Sequence, residues 1–183
     1  MSKEEIKLEI QKVLEAESVN HWNHLDQVYS DPPIFIGDEF AAKDIDTLKK
    51  LGITHILNAA YVASRTHYHS YGIVDTCSDW YAVRGYDFES LDFPHFDLSR
   101  YFEDAADFIE SANSSKGKVL VHCYVGMSRS ATLVIVYLMI KKNMRAKDVL
   151  THIRKTRAVY PNSGFLDQII DLELRLRDSR LKK

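Results

Sequence analysis

Lys118-Val-Leu-Val-His-Cys-Tyr-Val-Gly-Met-Ser-Arg-Ser130 is the stretch on which the fold turns. It opens as a short apolar run with strand character. The segment after it, Ala131-Thr-Leu-Val-Ile-Val-Tyr-Leu-Met-Ile140, is apolar on nearly all sides, as a buried helix is. Between the two lies a cysteine, five residues and an arginine, Cys123 to Arg129. A strand, a tight loop and a helix N-terminus make an anion cradle, because the loop amides turn inward and the helix dipole adds partial positive charge. A thiol at the base of such a cradle has its pKa drawn from about 8.5 towards roughly 3.5–7.5, which makes it a thiolate at neutral pH. Arg129 at the far end offers a planar fork that matches two phosphate oxygens. The loop reads as a device that binds a phosphate and attacks it with sulfur.

Outward from this loop, strands alternate with helical patterns. Ile34-Phe-Ile36 and Ile53-Thr-His-Ile-Leu57 read as strands around a short helix from Lys43 to Leu51 that Gly52 ends. Tyr86 to Glu89 alternates as an edge strand does. Asp97-Leu-Ser99 starts a helix with Phe102, Ala105, Ala106 and Ile109 on one face. Later helices present Ala146, Val149, Leu150 and Ile153, then Phe165, Ile169, Leu172 and Leu176. At the N-terminus, Ser2-Lys-Glu-Glu5 resembles a capping box, and Ile6, Ile10, Val13 and Leu14 form a stripe that packs on the domain or meets a partner. The expected fold is a single α/β domain, a short, mainly parallel twisted sheet flanked by helices. The expected division is a helical extension over 1–25, a catalytic domain over 26–178 and a basic tail over 179–183.

Composition fits that picture. A chain of 183 residues with 45% hydrophobic content fills one core. A net charge of −2 gives no electrostatic case for nucleic acid or an anionic membrane, and no run reaches transmembrane length. Two cysteines, Cys77 and Cys123, make no disulfide framework and suit a reducing compartment. The expected location is the cytoplasm, with the nucleus as a second compartment, and the expected state a monomer or weak homodimer.

His122-Cys-x-x-Gly-x-Ser-Arg-Ser130 resembles the signature of cysteine-dependent protein phosphatases in its dual-specificity form. Asp26-Gln-Val-Tyr29, Ile36-Gly37, Leu51 to Ala60, Leu98-Ser99, Tyr101-Phe-Glu103 and Pro161-Asn-Ser-Gly-Phe165 are similar to the small, VHR-like atypical members. The resemblance covers nearly all of residues 26–176 apart from a divergent stretch near 61–85. It implies phosphoprotein substrates, with mitogen-activated protein kinases among them, and needs no metal or cofactor. Cys123 is then the nucleophile that forms a phosphocysteine, and Arg129 holds two phosphoryl oxygens. Tyr124, Val125, Gly126, Met127 and Ser128 line the phosphate, with Gly126 supplying any positive φ. Ser130 hydrogen-bonds the sulfur and eases its departure, and His122 orders the loop and helps to set the thiol pKa. In its uncharged interior the loop departs from relatives that take phosphoinositides or RNA triphosphates, which favour basic residues there.

The leaving group needs a proton, and Asp75, Asp79, Asp87, Glu89, Asp92 and Asp97 all precede the nucleophile. Asp97 sits where a helix begins and is expected to cap it, while Asp87 and Glu89 belong to the edge strand. Asp92 precedes Phe93-Pro94, which bends the chain, and falls at the family's general-acid position. A solvated loop aspartate is the plainer alternative. Asn58 either braces the phosphate loop, as in look-alikes, or is an ordinary turn residue. Arg157 and Asn162 match pocket-bordering positions, where Arg157 would meet a second acidic group; it fits equally as a helix-end cation. His67, His69, Cys77 and Asp79 fit no standard metal spacing and read as surface loop. Two other functions compete with the protein phosphatase: a catalytically weak phosphoprotein-binding scaffold, and a lipid or nucleotide phosphatase.

Overall fold

The computed structural model describes residues 1–19, 23–61, 73–76 and 84–182. Among them, five strands form one sheet: β1 (Leu25–Ser30), β2 (Pro33–Gly37), β3 (His55–Tyr61), β4 (Arg84–Glu89) and β5 (Val119–His122), in the order β1-β2-β5-β3-β4. β1 is antiparallel to β2, and the β2–β5, β5–β3 and β3–β4 pairs are parallel. The helices are α1 (Lys3–Glu15), α2 (Glu39–Lys43), α3 (Ile45–Leu51), α4 (Phe102–Ser114), α5 (Arg129–Lys141), α6 (Ala146–Ile153) and α7 (Ser163–Leu181). The fold is a single α/β domain, as the alternating strand and helix patterns imply.

β5 is the buried middle strand, and its last residue, His122, pairs with Gly37, where β2 ends, and with Asn58 of β3, which runs on to Tyr61. The loop after His122 therefore leaves from the carboxyl ends of parallel strands, where open α/β sheets bind their ligands. The strand period of two sends side chains alternately to two cores. Ile34, Ile36, Leu57, Val119 and Val121 meet α4, α5, α6 and α7, whereas Phe35, Ile56 and Leu120 meet Leu48 of α3. α5 is buried from Arg129 through Met139. Each such Leu, Ile or Val contributes about 1.5–3 kcal/mol on burial, so the helix that opens at the loop is fixed by packing along its length.

Four details depart from expectation. The helix expected over 43–51 is α3, and a separate helix, α2, precedes it, because Asp38 and Asp44 each start a turn. Asp38 accepts from the Phe40 and Ala41 amides at 2.9 and 3.0 Å, and Asp44 from the Thr47 amide at 3.0 Å. Gly52 ends α3 at φ 71°. β1 has no clean alternation in Leu25-Asp-Gln-Val-Tyr-Ser30 and forms through its hairpin with β2. Asp97, expected to cap a helix, instead precedes a single 3-10 turn (Ser99–Tyr101) that leads into α4, and accepts from the Ser99 amide and hydroxyl. α7 runs to Leu181, into the stretch expected as a basic tail.

α1 packs on the domain, with Ile6 and Ile10 inside the main core. Glu9 pairs with Arg145 and Lys147, and Lys3 with Asp171. Buried Arg154 donates to the Leu14 and Ala16 carbonyls at the end of α1, at 3.1 and 2.9 Å. These donations satisfy carbonyls that a helix C-terminus otherwise leaves unpaired.

Candidate active site

The segment from Cys123 to Ser128 closes tightly between β5 and α5. The Gly126 amide donates to Cys123 Sγ at 3.2 Å, and Ser130 Oγ lies 3.3 Å from the same sulfur. Gly126 holds φ 72°, and a Cβ there would sit 2.6 Å from the Gly37 carbonyl oxygen. Only glycine combines that conformation with that approach. Ser128 stands at the N-cap of α5, yet its hydroxyl donates to Asp92 Oδ1 at 2.8 Å instead of capping. No side chain caps α5, so the positive end of its dipole faces the loop.

Burial, the largest influence on the Cys123 thiol, pushes its pKa up. The Arg129 guanidinium, the Ser130 hydroxyl and amide and the Gly126 amide outweigh it, and the net shift is downward. His122 is fully buried, and burial drives its pKa down to about 3, so the ring is neutral at working pH. The Cys123 backbone acts in the opposite direction on His122, but neither ring nitrogen reaches hydrogen-bonding geometry with a described residue. A neutral, buried ring next to the nucleophile position is unsuited to take a proton there.

Asp92 lies across the loop. Its Oδ1 accepts from Ser128 Oγ and from Asn162 Nδ2, both at 2.8 Å, and its Oδ2 is 3.6 Å from Arg129 Nε. Asn162 also caps α7 by accepting from the Phe165 amide at 3.0 Å, and its own amide donates to Ser128 Oγ at 3.2 Å. The close seating depends on Gly164, where a Cβ would fall 1.7 Å from the Pro94 carbonyl oxygen. Arg129 is buried and donates to the Ser90 carbonyl at 3.2 Å. Cys123, Arg129, Ser130, Asp92 and Asn162 thus converge from β5, α5, the 90–94 loop and the start of α7.

Two expected roles are corrected. Arg157 is 2% exposed and lies beneath the loop, out of reach of a second acidic group on a substrate. Its Nε donates to the Gly126 carbonyl at 2.8 Å, Nη2 to the Val125 carbonyl at 3.4 Å, and Nη1 to Asn23 O and Asp26 Oδ2 at 2.9 and 2.8 Å. In a trans peptide the carbonyl and the next N–H point opposite ways. Holding the Val125 and Gly126 carbonyls below the loop therefore turns the Gly126 and Met127 amides into the cradle. Asn58 braces a different segment. Its Nδ2 donates to the Val74 and Thr76 carbonyls at 3.0 and 2.8 Å, and its Oδ1 accepts from the Ala60 amide. Of the rest of the loop, the Tyr124 carbonyl accepts from the Glu39 amide, Met127 O from the Tyr160 amide, and the Val125 side chain is exposed. No role was read for Tyr160 or Ser90, whose partners are far away in sequence, and Asp26 and Gly164 stood in family-like blocks without a sign of what they touch. His67, His69, Cys77 and Asp79, with most of 61–80, lie outside the described residues.

Residues 34–175 match the family described as "Dual specificity phosphatase, catalytic domain". The chain belongs to this family, and it is a dual-specificity protein phosphatase. Human DUSP28 shares the fold at a TM-score of 0.72 and 24% identity, over 88% of this chain and 99% of that one. DUSP15 is similar at a TM-score of 0.68 and 25% identity, over 88% and 97%. The human tyrosine phosphatase-like serine/threonine/tyrosine-interacting protein is similar at 0.67 and 26%, over 82% and 96%.

Proposed function

We propose that the chain hydrolyses phosphotyrosine and, more slowly, phosphoserine and phosphothreonine in proteins through a phosphocysteine, without a metal or cofactor. The observation that carries this reading is the Cys123 sulfur, held by the Gly126 amide and the Ser130 hydroxyl at the mouth of α5, with the Asp92 carboxylate across the loop. Cys123 Sγ attacks phosphorus in line while Arg129 and the loop amides hold the three equatorial oxygens. As the S–P bond forms and the P–O bond breaks, Asp92 gives its proton to the departing oxygen. The same carboxylate then takes a proton from water, whose oxygen attacks phosphorus. The S–P bond breaks, and Ser130 steadies the returning thiolate. His122, neutral and buried, packs the strand end beneath the loop.

The family resemblance brings mitogen-activated protein kinases forward as substrates, and the cytoplasm and nucleus as the places of action, with the chain acting as a monomer or weak homodimer. The test is hydrolysis of a doubly phosphorylated Thr-x-Tyr peptide, without metal, by wild type and Cys123→Ser. Phosphate release from both residues, abolished by the substitution, is expected. Tight binding without turnover by both proteins would mark a scaffold instead.

A further inference from the structure

Eight large apolar side chains are exposed among the described residues, and four of them, Phe40, Phe93, Val125 and Tyr160, belong to the catalytic loop or to segments joined to it. Val125 lies within the loop and is 43% exposed. Phe40, 61% exposed, follows Glu39, whose amide donates to the Tyr124 carbonyl at 3.0 Å. The amide of Tyr160 donates to Met127 O at 3.0 Å, and its ring lies over the Arg154 guanidinium at 4.5 Å. Phe93 follows Asp92 and stacks on His95, with ring centroids 5.6 Å apart and planes 3° apart. These side chains come from separate elements, so their gathering at one loop is a product of the fold.

The cations nearby are committed elsewhere. Arg129 and Arg157 are each 2% exposed. Arg154 is buried and holds the Leu14, Ala16 and Val159 carbonyls. Lys43 pairs with Glu39 at 2.7 Å. Beside the loop the Asp92 side chain is 35% exposed, while Lys43, 47% exposed, has its charge paired with Glu39. Exposed apolar surface continuous with a site marks an interaction surface.

We infer that Phe40, Phe93, Val125 and Tyr160 form an apolar collar that selects phosphorylated segments with apolar or aromatic side chains beside the phosphorylated residue. The inference rests on the catalytic reading above. A doubly phosphorylated segment, or one with acidic flanks, is then a slower substrate than one with a single phosphate and apolar flanks.

The test uses the full chain and three phosphotyrosine peptides that differ only in carrying Leu, Ser or Glu on both sides of the phosphotyrosine, with a small aryl phosphate as reference. The Leu peptide should exceed the Glu peptide by about tenfold in kcat/KM, the scale on which a modest apolar contact discriminates substrates. In Phe93→Ser/Tyr160→Ser that ratio should fall to roughly threefold or less, and in Phe40→Ser alone to an intermediate value. Because the readout is a ratio on one protein, a change in overall rate or in folded fraction does not move it. Equal or better turnover of the Glu peptide, or a ratio unchanged in the variants, overturns the collar. If wild type hydrolyses the aryl phosphate but shows no flank preference, the collar falls and the catalytic reading stands. If it hydrolyses neither aryl phosphate nor peptides, both fall.

Discussion

Replacing His122 by Asn should flatten the acid side of the stability profile. His122 is fully buried with its pKa driven down to about 3, against an ordinary value of 6.5. Between these two values the unfolded chain binds a proton on this ring and the folded protein does not. Stability is therefore complete above the unfolded pKa and is lost as pH falls. From about pH 7.5 to about pH 5 the ring costs roughly 1.5 × 1.36, or about 2 kcal/mol. His55, whose pKa is also lowered by burial and by Arg84, adds a loss of the same sign, but it does so in both proteins and cancels. Urea unfolding of wild type and His122→Asn at several pH values isolates the difference. Whatever packing Asn sacrifices shifts the whole curve, while the pH dependence should be shallower by about 2 kcal/mol over that range. Parallel curves for the two proteins would refute a buried, neutral His122.

Asp92→Asn should slow an aryl phosphate with a poor leaving group by about 10²–10⁴ and one with a good leaving group by less than about tenfold; equal losses move the proton donor elsewhere. Arg157→Ala strands the buried Asp26 carboxylate, and a urea titration should show a loss of about 3–5 kcal/mol. A loss under about 1 kcal/mol would mean that the Asp26–Arg157 pair contributes little. Gly126→Ala sets a Cβ 2.5 Å from Arg157 Nη2 at a φ of 72°, and kcat/KM should fall by about 10² or more; near-normal kinetics would show that the loop tolerates another shape.

The stretch from Lys118 to Ser130 made the centre of this fold legible, because a strand, loop and helix in succession have one compact arrangement. The largely apolar run of α5 from Ala131 to Ile140 and the faces of α4, α6 and α7 were equally open to periodicity. What periodicity missed was set by partners distant in sequence. β1 carries a polar, irregular sequence and exists through its pairing with β2. The split between α2 and α3 hangs on Asp44, which looks like any helix aspartate until it caps. At the site, Cys123, Arg129, Ser130 and Asp92 were named from the motif and its neighbours. Arg157 was named for the wrong reason, since the carbonyls and carboxylate that draw it under the loop lie up to 134 residues away. Asn58, placed by family resemblance, turned instead to Val74 and Thr76, in a region where the chain diverges from its relatives.

The most direct measurement is a search for the phosphocysteine itself, with Ser130→Ala chosen because its hydroxyl lies 3.3 Å from the sulfur that must depart. Mixed rapidly with an aryl phosphate, this variant should release one equivalent of phenol per enzyme in a burst and then turn over slowly. Acid-quenched peptide mapping should place one phosphoryl group on the peptide bearing Cys123. A steady rate with no burst and no phosphoryl on that peptide, together with undiminished turnover by Cys123→Ser, would contradict the account.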